Sequence, residues 1–221
     1  MQSLPVVSSL WIGPKLSFLE QLCLKSFVDA GHTTKLYVYD GVEGVPQGVQ
    51  IVPAERILPA EEFIVNSESG TPGPHADKFR YNLLQQTDEI WADTDAYCLR
   101  PFPNSDYFFG CHFKSLVANG VLRLPKGSQT LEDLLTFTST EYPVLPDDFL
   151  FYDKAFRNNY LDVRRSGKEM HISQMPWETW GPHAITYFMQ KFSTRYPMKC
   201  CTLYVVAKFS GHYKNRSALK L

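Results

Sequence analysis

The chain has 221 residues, 44% hydrophobic and 20% charged, the make-up of a soluble globular protein long enough to bury a sizeable core. Its 22 Lys and Arg against 23 acids argue against a nonspecific nucleic-acid binder and a polybasic membrane surface, while leaving room for a local basic patch. No apolar run approaches the ~20 residues of a membrane span, and the start lacks a basic leader before a long apolar stretch, so a cytoplasmic or peripheral protein is expected.

PVVSSLWIG (5–13) reads as a buried first strand ended by Gly13-Pro14. Leu16, Leu19, Cys23 and Phe27 then recur at helical spacing, with Gly31 as a stop. KLYVYD (35–40) is a second strand, and a β-α-β start with short connections predicts a parallel, doubly wound sheet. In such sheets ligands sit outside the carboxyl ends of the strands, which places Trp11, Ile12, Gly13 and Asp40 at the expected mouth. Residues 59–75 are polar and rich in Gly and Pro, a loop expected to lie mobile over a site. ADKFRYNLLQQ (76–86) resumes a helical pattern with Asp77, Arg80, Tyr81 and Leu84 along one side, and IWADTD is the next strand and its end. Residues 107–124 suggest two strands around a turn. GSQTLEDLLTFTSTEY reads as a helix with Ser128 and Thr130 as candidate caps, HAITYFMQKFS (183–193) as another behind Gly181-Pro182, and KCCTLYVVAKF (199–209) as a late strand. No repeat or linker divides the chain, so residues 1–221 are read as a single domain.

The five cysteines (Cys23, Cys98, Cys111, Cys200 and Cys201) are odd in number and show no CxxC spacing, so buried free thiols are expected rather than a zinc site.

The chemistry concentrates in EIWADTDAYCLRPF (89–102). Asp93 and Asp95, two apart at a strand end, project hard oxygen donors toward one mouth. That suits Mg²⁺ or Mn²⁺, which favour oxygen ligands and often bridge to phosphates. A solvated turn is the alternative for the pair alone. Asp77 near a helix N-terminus, with Arg80 three residues on, also has a purely structural reading.

The block HADKFRYNLLQQTDEIWADTDAYCLRPF resembles the signature of glycosyltransferase family 32, whose members carry a DxD-containing sugar-binding region. Asp77, Arg80, Tyr81, Asp93 and Asp95 match its Asp-x-x-Arg-Tyr helix and DxD strand in order and spacing. LWIGPKLSFLEQLCLKSF, NGVLRLPKGS, TWGPHAITYF and GHYKNRS are similar to further segments of bacterial members, among which are α-galactosyl- and α-mannosyltransferases. One departure is Asp88-Glu89, where the family often has Gly-Gly before the strand.

The resemblance implies a GT-A fold, a Rossmann-like and mostly parallel mixed sheet flanked by helices, and a retaining hexosyltransferase. It implies Mn²⁺ or Mg²⁺ held by Asp93, Asp95 and His212, with Asn215 and Ser217 as further closing residues. Asp95 is expected as the direct ligand and Asp93 on the ribose and the metal's water shell, or the reverse. The nucleotide sugar, a UDP-hexose favoured, would meet Trp11, Ile12, Gly13, Tyr39, Asp40, Asp77, Arg80, Tyr81, Thr94, Asn119 and His212. The acceptor, a glycan or glycolipid, would meet Trp180, Gly181 and His183, for which a core tryptophan and a helix start are the structural alternative. Polysaccharide synthesis at the inner membrane is the implied setting, with peripheral membrane association and no nucleic-acid partner. Two other readings compete: a folded but degenerate carbohydrate-binding member, and a haloacid-dehalogenase-type phosphatase with Asp93 as nucleophile. The second usually opens its domain with the motif and has Thr or Val where Tyr97 stands.

Overall fold

The computed structural model describes residues 3–111, 116–149, 154–192 and 205–206. Strand β1 (Val7–Trp11) is buried along nearly its whole length, as a central strand requires. Helix α1 (Phe18–Asp29) begins with a capping box: the Ser17 hydroxyl accepts from Leu19 N–H at 3.2 Å, and Glu20 accepts from Ser17 N–H at 2.7 Å. It stops before Gly31, whose φ of +91° suits a residue without a Cβ. Strand β2 (Thr34–Val38) runs parallel to β1, from Val7 opposite Thr34 to Trp11 opposite Val38. Strand β3 (Val49–Pro53) joins β2, also parallel.

Helix α2 (Gly73–Gln86) crosses back, and β4 (Ile90–Ala92) pairs in parallel with the other side of β1. Strand β5 (Tyr97–Cys98) leaves the sheet, while β6 (Phe108–Cys111) and β7 (Val117–Arg123) return to it. Strand β7 is antiparallel to both β4 and β6. Helices α3 (Gln129–Phe137), α4 (Lys154–Arg165) and α5 (Ala184–Phe192) follow, and β8 (Val205–Val206) pairs antiparallel with β5. The main sheet has the order β3-β2-β1-β4-β7-β6. It is the mixed, mostly parallel sheet expected from the sequence.

Alternation along the strands sorts the core into two layers. Tyr37 and Trp91 face α2, where Phe79 sits 5.5 Å and 6.1 Å from their rings. Leu36 and Val38 point the other way with Leu24 of α1, and Ile90 and Ala92 pack there with Phe27 and Phe102.

Several elements differ from the sequence reading. Strand β3 has no counterpart there, because it is an edge strand with Gln50, Ile51 and Pro53 exposed and shows no apolar alternation. Helix α4 was likewise not anticipated, although Phe156, Tyr160 and Val163 recur at helical spacing and, with Leu161, pack against the core. Helix α2 opens at Gly73, earlier than expected, with Pro74 in its first turn, where the missing N–H costs nothing. Ser128 occupies the N-cap position of α3 without making a capping bond. The 59–75 loop is tied down rather than lying loose. Asn66, 1% exposed, accepts from the N–H groups of Glu68 and Ser69 and donates to Met175 O at 2.8 Å. Cys23 and Cys98 are buried as expected, Cys111 is exposed instead, and Cys200 and Cys201 lie outside the described residues.

The Asp88-Glu89 departure acquires a structural meaning. Asp88 is exposed and meets Lys126 at 3.2 Å. Glu89 is buried and accepts from Ser8 Oγ at 2.5 Å and Tyr37 Oη at 3.0 Å, and it pairs with Lys35. One carboxylate thus joins β1, β2 and the start of β4. Glu89→Ala would strand two buried hydroxyls, while half-buried Lys35 can rehydrate. The expected loss is about 2–3 kcal/mol in urea unfolding, against less than about 0.5 kcal/mol for Asp88→Ala.

Candidate functional site

Because β1 pairs with β2 on one side and β4 on the other, the crossovers leave in opposite directions, and a crevice opens at their carboxyl ends. Trp11, Ile12 and Gly13 leave β1 there, Tyr39 and Asp40 leave β2, and Asp93, Thr94 and Asp95 leave β4. Strand β7 brings Asn119 to the same edge, since Ala92 pairs with Val121 and Asp93 N–H donates to Gly120 O at 2.7 Å.

The centre of the arrangement is Arg80, on the inward face of α2. Its guanidinium lies 3.3 Å from Asp77 Oδ1 and 3.2 Å from Asp93 Oδ1. It donates to Asn119 O at 2.5 Å and covers the Trp91 ring at 4.8 Å. Burial alone would lower the Arg80 pKa, but Asp93 and Asp77 outweigh it and hold the cation. Asn119 Nδ2 donates to Asp77 Oδ1 at 2.8 Å, and Trp91 Nε1 donates to Asp93 Oδ1 at 2.8 Å. Tyr81 donates to Trp180 O at 2.7 Å, and burial pushes its hydroxyl pKa far up, so it remains a donor. Trp91 was missed as a site residue, although its place two before Asp93 on the same strand face is legible in IWADTD.

Residues 179–183 form a wide turn ahead of α5 and complete the wall. A Cβ on Gly181 would come 2.9 Å from Asn119 Nδ2 and 3.0 Å from Asp77 Oδ2. Only glycine lets this backbone lie on the Asp77–Asn119 pair. The expectation of an acceptor surface here is corrected for two residues: Trp180 and His183 are fully buried and offer no face to a glycan. His183 Nε2 instead lies 3.5 Å from the Glu178 carboxylate.

The remaining positions are more peripheral. Asp95 is half-buried in the turn after β4, and its charge is felt both by Arg80 and by Cys23 of α1. Burial first, then Asp95 and Glu20, push the Cys23 thiol up to about 11. Tyr39 donates to Leu58 O at 2.8 Å and its hydroxyl meets His75 Nε2 at 2.9 Å, so it anchors the 59–75 loop. Asp40 is exposed beside it, and Gly13 has φ +148°. The Trp11 indole N–H is buried without an acceptor among the described residues. His212, Asn215 and Ser217 lie outside the described residues.

No known family profile matches the chain, and no curated protein does. Among solved structures, the PaToxG glycosyltransferase superposes with a TM-score of 0.52 at 12% identity, over 85% of this chain and 69% of that one. The architecture is GT-A-like. A double cysteine-to-serine mutant of a transferase gives a TM-score of 0.42 at 12% identity, over 74% of this chain and 87% of that one, too low to add to the assignment. At this identity the likeness carries the fold, and the residues must carry the chemistry.

Two outcomes follow from the site. Gly181→Ala must displace the Asp77–Asn119 pair, and should cost about 1–3 kcal/mol in urea unfolding. Burial lowers the pKa of both His75 and His183 to about 4, with Lys78 adding to the effect at His75. The unfolded chain therefore takes up protons first as pH falls. The stability tied to these neutral rings is complete above about pH 6.5 and drains away toward pH 4. Melting temperature should fall over that window, with a shallower slope in His183→Gln.

Proposed function

We propose that the protein is a metal-dependent, retaining glycosyltransferase that moves a hexose from a nucleotide sugar, a UDP-hexose favoured, to a glycan or glycolipid acceptor. The observation that carries this reading is the convergence of Asp77, Arg80, Asp93 and Asn119 beside Asp95, at the sheet's switch point, in a GT-A-like fold. The likeness to family 32, and a role in bacterial polysaccharide synthesis at the inner membrane, belong to the same proposal.

The donor set fits Mn²⁺ or Mg²⁺. Among the described residues no group of three or more His, Cys, Asp or Glu is gathered as a closed metal cage. A hard cation of this kind is often held by one or two carboxylates, a part Asp95 and Asp93 would take, with the rest of its shell from water and substrate phosphates. Once bound, such an ion neutralises charge on the departing diphosphate as a Lewis acid.

The chain's own residues do the rest. Asp77 and Asn119, buried beneath Gly181 and bonded to each other and to Arg80, act as positioning residues under the carboxylates at the crevice. Arg80 pairs with Asp77 and Asp93 and orients them before substrate arrives, so little reorganisation is needed during the reaction. In a front-face substitution the bond from sugar C1 to the diphosphate oxygen breaks. C1 then bonds the acceptor hydroxyl on the same face, and that hydroxyl's proton passes to the leaving phosphate oxygen. No enzymic nucleophile is required. The phosphatase reading loses ground on the same geometry, because Asp93 Oδ1 accepts from both Arg80 and Trp91 and its charge is drawn away from attack.

Calorimetric titration of UDP, with and without Mn²⁺, into wild type and Asp95→Ala tests the reading. Metal-dependent binding that falls at least tenfold in the variant is expected, followed by hydrolysis of a UDP-hexose. Binding without turnover of any nucleotide sugar would favour a degenerate binding protein. No binding of UDP or GDP would overturn the nucleotide-sugar reading.

A further inference from the structure

Strand β5 follows the DxD turn outside the main sheet and pairs there with β8. Part of its backbone bonding therefore goes to side chains, and the amide of Cys98 meets one from α1. Cys98 N–H donates to Ser26 Oγ at 2.8 Å, and that hydroxyl donates in turn to Cys23 O at 2.6 Å. Ser26 stands on the face of α1 that buries Cys23, Leu24 and Phe27. A hydroxyl there adds nothing to apolar packing and competes with the helix's own hydrogen bonds. With its proton committed to Cys23 O, its oxygen is left to accept from the backbone that passes.

His32, just beyond α1, repeats the arrangement further along that backbone. Its Nδ1–H donates to Pro5 O at 2.8 Å, and its Nε2 accepts from Phe102 N–H at 2.9 Å. Burial lowers its pKa, against an opposing pull from Pro5 O, so the ring stays neutral and Nε2 can accept. Both side chains thus direct a donor toward their own side of the fold and an acceptor toward the segment leaving the DxD turn.

That turn is fixed at both ends. Asp93 is held by Trp91, by Arg80 and through its own N–H on Gly120 O. Ala96 N–H donates to Asp93 O at 3.0 Å, and Ala96 is buried in one apolar cluster with Cys98, Phe27 and Phe102. Asp95 lies between these anchors, close enough to α1 for its charge to raise the Cys23 thiol.

We propose that Ser26 is a positioning residue for Asp95: through Cys98 it fixes the reach of that carboxylate toward a divalent cation. The inference rests on the nucleotide-sugar reading and on the fit of a hard cation to Asp95 and Asp93. Ser26 itself touches neither metal nor substrate. Groups that stand behind a metal ligand commonly change metal affinity by about 10–100-fold.

UDP would be titrated by calorimetry, at limiting and at saturating Mn²⁺, into wild type, Ser26→Ala, Ser26→Thr and Thr138→Ala. Thr138, 1% exposed, donates to Leu134 O at 2.8 Å, so its variant removes a buried hydroxyl from α3 rather than from α1. Alanine suits a helix, so Ser26→Ala should fold, which melting temperature checks. The expected affinity of Ser26→Ala is about tenfold weaker at limiting Mn²⁺ and recovers at saturating Mn²⁺ by mass action. Ser26→Thr, which keeps the hydroxyl, and Thr138→Ala should stay close to wild type. A purely structural defect would not be repaired by metal. Wild-type affinity in Ser26→Ala, an equal loss in Ser26→Thr or Thr138→Ala, or a loss that saturating Mn²⁺ leaves in place overturns this inference while the nucleotide-sugar reading stands. A wild type that binds neither UDP nor GDP overturns both.

Discussion

A single buried cation organises the candidate site. Arg80 is removed from water, which alone costs several kcal/mol for an ion, and the surrounding groups are those able to offset that cost: two carboxylates, a backbone carbonyl and the face of an indole. These partners come from three elements. Asp77 shares α2, Trp91 and Asp93 stand at the end of β4, and Asn119 comes from β7. The guanidinium therefore sets the distance between helix and sheet edge, and it does so where the DxD carboxylates leave the sheet. Removing it would leave two acids facing each other in a low-dielectric crevice.

The rest of the site follows from that constraint. With Asp77 held by Arg80 and Asn119, the next layer must approach closely, and Gly181 does so because it has no Cβ. The wide turn at 179–183 that delivers it is anchored from below by the Tyr81 hydroxyl on Trp180 O. Burying Trp180 and His183 is the consequence: they support the wall rather than meeting a substrate. At the opposite edge, Glu89 performs a comparable task with an anion, drawing Ser8, Tyr37 and Lys35 together beneath the start of β4. Two buried charged groups of opposite sign thus bracket the short central strand, one before it and one after.

The site's contrast with α4 is instructive about charge. At the carboxyl edge of the sheet Arg80 stands among Asp77, Asp93 and Asp95, so charges of both signs are interleaved and the local sum is negative. Along residues 154–168 five cations stand with Asp162, which meets Arg165 at 3.1 Å. These are distinct physical environments in one chain, and a summed charge near zero reveals neither.

The sequence by itself determined the β-α-β opening, the α2 helix with its Asp-x-x-Arg-Tyr face, and the Asp93–Asp95 pair at a strand end. These depend on local periodicity, capping and spacing, which a one-dimensional string carries in full. It did not determine β3, since an exposed edge strand has little apolar period to read, and α4 was passed over because its Phe156–Tyr160–Val163 stripe is set among many charged and polar residues. Only the tertiary structure decided that Arg80 pairs with Asp77 and Asp93 together, that Trp91 belongs to the site, and that Gly181 rests on Asn119. Each of those contacts joins residues that strand order and helix crossover bring together, and the register of pairing, rather than composition, sets their distance.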